Sequence, residues 1–255
     1  MATQRELVGR WSALGYRTGM ASATIIPPPP ASFRRVYHMM QDKWALAAID
    51  DQRLKVSRFE DLNDPFELLA MQRHTKASRT ASRRLREAFN ASQGLLSFST
   101  DWSNAVMWSH YADKHKGICL GFDVRRSQLQ QVRYEDRRLR IALDDAADPA
   151  SLSSELQRQL TCTKAKAWSY EEELRRFIDL RSAVFEPPRH FIPFDDDMRL
   201  AEVILGDRCT QTLEAVRTRL EGKCPLALAF KARLAYRSFR VVLNGYTRPP
   251  GSPVR

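Results

Sequence analysis

Three adjacent carboxylates, Glu171, Glu172 and Glu173, stand between Trp168-Ser169-Tyr170 and Leu174-Arg175. Crowded acids repel one another unless a cation or a ligand compensates. On extended backbone Glu171 and Glu173 share a face, whereas on a helix they diverge. Carboxylates so placed could take a proton or stabilise a positive transition state; a solvated acidic turn is the plainer reading. A second group lies in Met107-Trp108-Ser109-His110-Tyr111-Ala112-Asp113-Lys114-His115-Lys116-Gly117. At helical spacing, Met107, His110, Tyr111 and Lys114 line one face and Trp108, Ala112 and His115 another. One face must pack. The other can offer His110 or Tyr111 to a cleft, where a tyrosine ring stacks on a base or a nicotinamide, unless it is a core aromatic. Ser97 and Ser99 share a strand face with Phe98 opposite, able to bond a ribose or buttress a carboxylate, or to be polar edge positions only. Asn63-Asp64-Pro65-Phe66-Glu67 reads as a turn without chemistry. His110, Asp113 and His115 make a poor zinc site, since His-x4-His splits the rings and no third His or Cys is near. No G-x-S-x-G, Walker, H-E-x-x-H or G-x-G-x-x-G pattern occurs, so the common nucleophilic hydrolases lack their signatures.

These residues need elements to hold them. Polyproline, Pro27 to Pro30, separates a leader from a strand at Arg35–Met39. A helix is expected over Trp44–Ile49, a strand over Arg53–Ser57 and a basic amphipathic helix over Lys76–Asn90. Leu95–Ser99 reads as a strand. Asp101–Asn104 can cap a helix over Ala105–His115 that stops at Gly117. Ile118–Val124 and Gln131–Tyr134 follow as strands, 141–156 as loop, and Ser154–Lys166 as helix. Periodicity leaves Glu173–Leu180 open between strand and helix. Phe191–Phe194 is strand-like, Met198–Leu205 and Asp207–Glu221 read as helices, and Leu226–Lys231 with Ser238–Leu243 as closing strands. Without strict βαβ alternation the class is α+β: a single domain over 31–247 with a mixed, split, antiparallel-rich sheet flanked by helices, an arm and linker over 1–30, and a flexible tail over 248–255.

Composition sets the surroundings. The 255 residues are 43% hydrophobic, a globular value. No apolar run approaches a membrane span and residues 1–20 lack a secretory pattern, so no membrane partner is expected. Cys119, Cys162, Cys209 and Cys224 lie far apart, which suits reduced thiols in a cytoplasm. The net charge is +11. Arg73–Arg86 holds six basic residues and no acid, and no Asp or Glu follows Glu221. Such patches attract polyanions, nucleic acid among them, although an Arg-rich solvated surface looks the same.

Taken in order, the features resemble one bacterial family, domain-of-unknown-function family 2971. The resemblance runs through Tyr37, Asn63–Glu67, Leu96–Ser99, Met107–Tyr111, His115–Gly117, Lys166, Trp168 and Glu171–Arg175, over about residues 35–243. That family name carries no activity. A second, weaker resemblance is to ADP-ribosyltransferase folds of the DNA-modifying toxin branch. It implies an aromatic or basic residue on a first strand (Tyr37 or His38), Ser or Tyr in a middle segment (Ser97, Ser99 or Tyr111), and a catalytic Glu on a late strand (Glu173, with Glu171 beside it). It implies NAD as substrate, no metal, and a toxin or anti-phage effector, with a nucleic-acid acceptor and an antitoxin or regulatory protein as partners. Catalysis would rest on Glu173, Glu171, Tyr111 and His110. NAD would contact Tyr37, His38, Asn63, Asp64, Ser97, Ser99, Trp108 and His115. Two rival readings stand beside it. One is a non-enzymatic nucleic-acid-binding or regulatory module using Arg79, Arg83 and Arg84; the other is a metal-dependent nuclease using Asp64, Glu67 and the 171–173 acids.

Overall fold

Alternation of side chains across extended backbone builds this molecule around two unlike sheet faces. The structure is a computed structural model that describes residues 27–68, 70–141 and 152–245, within which 28–244 form one compact unit. The arm read over 1–30 lies almost wholly outside the described residues, as does the tail read over 248–255. In chain order the elements are β1 (Phe33–Met40), α1 (Asp42–Asp51), β2 (Arg53–Val56), α2 (Lys76–Ser92), β3 (Gln93–Ser99), α3 (Ala105–Tyr111), β4 (Ile118–Arg125), β5 (Gln130–Gln131), β6 (Arg133–Glu135), α4 (Ser154–Thr161), β7 (Thr163–Ala165), β8 (Glu173–Asp179), β9 (Val184–Glu186), β10 (Arg189–Pro193), β11 (Met198–Leu205), α5 (Leu213–Lys223), β12 (Leu228–Leu234) and β13 (Val241–Leu243). The class is α+β.

Eight strands form one sheet in the order β13-β12-β11-β4-β1-β3-β8-β5. Its pairs are antiparallel except β11 with β12. Two small sheets, β2-β10-β9 and β6-β7, stand beside it. One face of the large sheet is apolar. Val36, Phe98, Leu120, Phe122, Leu174 and Val203 are buried there against Ala45, Ala48 and Ile49 of α1 and Val216 and Leu220 of α5. The alternate positions point the other way, where a polar row runs beside a second apolar cluster in which Leu95 and Phe177 pack with Phe59 and Phe89. In register across five strands, Glu173 pairs Ser99, Ser99 pairs Tyr37, Tyr37 pairs Gly121, and Gly121 pairs Glu202. Gly121 is required by that row, since a Cβ there would stand 2.9 Å from Glu202 Cβ and 3.1 Å from Tyr37 Cε1.

Several elements differ from the sequence reading. Met198–Leu205 is strand β11, not a helix: a bulge between Leu200 and Glu202 shifts the pairing with β4, so the residues facing the main core change from Met198 and Leu200 to Val203 and Leu205. The helix expected to His115 ends at Tyr111, and Asp113, Lys114 and His115 turn left-handed with φ of 44°, 55° and 70°. Lys114 therefore leaves the helical face. Gly117 is no helix cap; its Cβ would lie 2.1 Å from the Met40 carbonyl oxygen, so the loop can pass β1 only without a side chain. The helix expected over 154–166 stops at Thr161 and continues as β7, then a 3-10 turn over Lys166–Glu171. The helix expected from Asp207 begins at Leu213, capped by the Thr212 hydroxyl, which accepts from Ala215 N–H. The Gln131–Tyr134 strand is two short pieces, β5 and β6. The closing strands shift to 228–234 and 241–243.

Candidate active site

The chemistry gathers where β8 begins. Glu173 opens that strand and Arg175 is two residues on, so both side chains face the polar side of the sheet. Arg175 is fully buried. Its Nε donates to Glu173 Oε1 at 2.8 Å and its Nη2 to Glu173 Oε2 at 3.2 Å. The same guanidinium donates to both carboxylate oxygens of Glu67, at 2.6 and 2.9 Å, and to the Thr161 carbonyl. All five N–H donors are thereby used. The Asn63–Glu67 turn, expected to be without chemistry, supplies Glu67 to this pair. Asp64 Oδ1 accepts from Phe66 N–H at 2.9 Å and so shapes the turn.

Lys164 on β7 joins a second glutamate to the first. Its Nζ donates to Glu171 Oε2 at 2.6 Å and lies 3.0 Å from Glu173 Oε2. The left-handed Glu172 sends its own side chain out to the Thr100 hydroxyl at 2.5 Å, leaving Glu171 and Glu173 turned inward. The other oxygen of Glu171 accepts from the Tyr111 hydroxyl, which in turn accepts from exposed Asn63 Nδ2 at 2.6 Å. Tyr111 is partly exposed, and beside it exposed His110 holds the Tyr170 hydroxyl at 3.0 Å from Nδ1. The open end of the network is thus Asn63, Tyr111, His110 and Tyr170, and the deep end is Arg175.

Environment drives the two glutamates apart. Burial alone would raise Glu173, but the charges of Arg175 and Lys164 override it and hold the carboxyl at about 2. Burial raises Glu171, and Lys164 and Tyr111 offset only part of that. Burial and the Glu171 charge push the Tyr111 hydroxyl well up. Three carboxylates, Glu67, Glu171 and Glu173, face two cations, Lys164 and Arg175. One negative charge is left over in a buried setting, which suits stabilisation of a cation and proton acceptance at Glu171.

The structure brings together Glu171, Glu173, Tyr111, His110 and Asn63, and places Ser97, Ser99 and Tyr37 along the same sheet face. Ser97 adds a hydrogen bond that lowers Glu173 further. Ser99 is spent on its own turn, donating to the Asp101 carbonyl at 3.2 Å and accepting from Asp101 N–H at 3.1 Å. Tyr37 faces Glu202, whose charge adds to burial in raising its hydroxyl. His38 is one position along β1 and so lies on the apolar face, edge-on to Phe98, with Nδ1 donating to the Ser97 carbonyl at 2.7 Å. It does not join the group, and burial keeps it neutral. Trp108 is fully buried, its indole N–H donating to the Trp102 carbonyl at 2.6 Å, so it is core and not a ligand contact. His115 stacks on that indole at 6.2 Å between centroids, with Nε2 3.3 Å from the Ser109 hydroxyl. Lys164 was not foreseen. Its signal is the need for cations beside the 171–173 acids, together with a basic side chain alternating with Thr163 and Ala165. Among the described residues no group of three or more His, Cys, Asp or Glu could hold a metal ion, and Lys164 and Arg175 fill the space between the acids a nuclease would use. A cleft of about 310 Å³ beside α4, lined by residues such as Phe89, Gln130, Arg158 and Phe177, is lined by none of the network's carboxylates.

Fold and site define an α+β protein with a buried, cation-bridged carboxylate network opening at a tyrosine. Residues 107–176, which hold Tyr111, Lys164 and both inward glutamates, match the model of a family described as protein of unknown function (DUF2971). No curated protein and no solved structure matches the chain. No described helix is long and apolar enough to cross a membrane.

Proposed function

We propose that this chain is an NAD-consuming ADP-ribosyltransferase that modifies a macromolecule, in the manner of a bacterial toxin or anti-phage effector. The observation that carries the reading is the row Tyr37–Ser99–Glu173 on the adjacent strands β1, β3 and β8, with Glu171 beside it. This is the order of side chains that the sequence resemblance implies, brought into one line by the sheet. Cleavage of a nicotinamide–ribose bond develops positive charge on the ribose, and the network holds one carboxylate more than its cations. Roles divide by depth. Glu173, bound by Arg175 and Lys164, stays ionised and fixes the field. Glu171, with its raised pKa and its link to Tyr111, is the carboxylate that can accept a proton from an acceptor hydroxyl or amine. Tyr111 and His110 form the wall that a nicotinamide ring would meet.

The test is release of nicotinamide and transfer of label from NAD labelled in its adenylate phosphate, with nucleic acid and protein offered as acceptors. Glu171→Gln is expected to lower release at least about a hundredfold. Chelator is expected to leave release unchanged, which separates the reading from a metal-dependent nuclease. Failure to cleave NAD with every acceptor ends it.

A further inference from the structure

The six residues joining β12 to β13, Ala235–Arg240, lift two aromatic rings into solvent: Tyr236 is 89% exposed and Phe239 101%. Rings so placed contribute nothing to the core, and with half-exposed Leu234 they make an exposed apolar group. The tip is nevertheless firmly held. Ala235 N–H donates to the Arg240 carbonyl at 2.9 Å, Val241 N–H donates to the Ser103 carbonyl at 2.8 Å, and Arg240 pairs with Asp101 at 3.0 Å. Cations alternate with the rings. The Arg233 guanidinium lies 4.5 Å from the Tyr236 ring centroid, and exposed Arg237 lies between the two aromatics in sequence. No acid follows Glu221 in the chain.

We propose that this hairpin tip is a platform for single-stranded nucleic acid, unpaired bases stacking on Tyr236 and Phe239 while the phosphates follow Arg233 and Arg237. Exposed rings accept any unpaired base, because every base has a π-face, and neighbouring arginines neutralise the backbone. A duplex has its bases already stacked and gains nothing from the rings. The excess of cations over acids in this last stretch of chain favours a polyanion as the occupant. The place matters as well. Asn104, bridged to Arg240, caps α3 through Val106 N–H and donates to the Tyr170 carbonyl at 3.1 Å. A strand on the tip is therefore held beside the helix that carries His110 and Tyr111.

Binding needs no NAD, so its test is separate from that of the transfer reaction. Fluorescein-labelled 16-nucleotide DNA and RNA single strands, and the matching DNA duplex, are titrated with the full chain at near-physiological salt. Single strands are expected to bind more tightly than the duplex, the DNA and RNA arms showing which sugar is preferred. Tyr236→Ala with Phe239→Ala should weaken single-strand binding at least about tenfold and leave the duplex alone. Both rings are exposed, so the melting temperature should not move. Equal affinity for duplex, binding unaffected by the double variant, or binding lost only when Arg79 and Arg83 of α2 are replaced would each overturn the proposal.

Discussion

Arg175 and Glu67 stand 108 residues apart in sequence and meet as a two-point ion pair, with neither side chain more than 1% exposed. A guanidinium so deeply buried is tolerable only while both of its glutamates remain. Glu67→Leu leaves two of the buried Arg175 donors unpaired and should cost about 3–5 kcal/mol, read as a lower urea midpoint at neutral pH. Disrupting the surface pair Arg158–Glu155 by Arg158→Ala should leave the midpoint nearly unchanged. A Glu67→Leu midpoint equal to the parent's would mean that the fork is not what holds the turn.

Glu173 makes the fold sensitive to acid. Its carboxyl falls from the ordinary glutamate value of 4.5 to about 2 on folding. A depressed acid stabilises the folded state above its unfolded pKa, and that contribution drains away as pH falls through the folded value. Unfolding free energy should therefore drop between about pH 4.5 and pH 2, and more steeply in the parent than in Glu173→Gln. Glu171 works in the opposite sense, since a raised carboxyl favours the folded state on acidification. Denaturation curves taken across this window decide it; equal slopes for parent and variant refute the assignment.

Tyr111 is the switch between solvent and the buried acids. Removing its hydroxyl by Tyr111→Phe leaves Glu171 with Lys164 alone and Asn63 without its acceptor. The ring is partly exposed, so the melting temperature should move by only a few degrees. Nicotinamide release should fall by about two orders of magnitude. Full activity in Tyr111→Phe would remove the tyrosine from the mechanism.

The network's members were legible only unevenly in the sequence, and the reasons are physical. Glu171 and Glu173 stood out because like charges cannot sit side by side without cause. Tyr111 and His110 stand out because helical spacing puts both on one face that can meet a cleft. Glu67 looked like part of a turn because its partner lies in another strand, and nothing local signals a contact across 108 residues. The strand β11 read as a helix because one bulge at Ala201 breaks the alternation that marks a strand. In sequence His38 is interchangeable with Tyr37; strand pairing puts Tyr37 in the polar row and His38 on the apolar face, since a shift of one residue moves a side chain across the sheet.

Two glycines separate shape from chemistry. Gly121→Ala brings a methyl to 3.1 Å from Tyr37 Cε1, a ring edge that can give way, and to 2.9 Å from Glu202 Cβ, which yields only if the β11 backbone moves. Overpacking of that kind costs about 1–3 kcal/mol, and the movement displaces the Tyr37 end of the polar row. Gly117→Ala meets backbone instead, at 2.1 Å from the Met40 carbonyl and 2.9 Å from Ala112, where no side chain can yield. The first variant should fold with a lowered midpoint and lose nicotinamide release beyond what its lost stability explains. The second should fail to accumulate as folded protein, because the loop from α3 could no longer cross β1. If Gly121→Ala kept full activity at its reduced stability, the Tyr37 end of the row would take no part in the reaction. Catalysis would then be confined to Tyr111, Glu171 and Glu173.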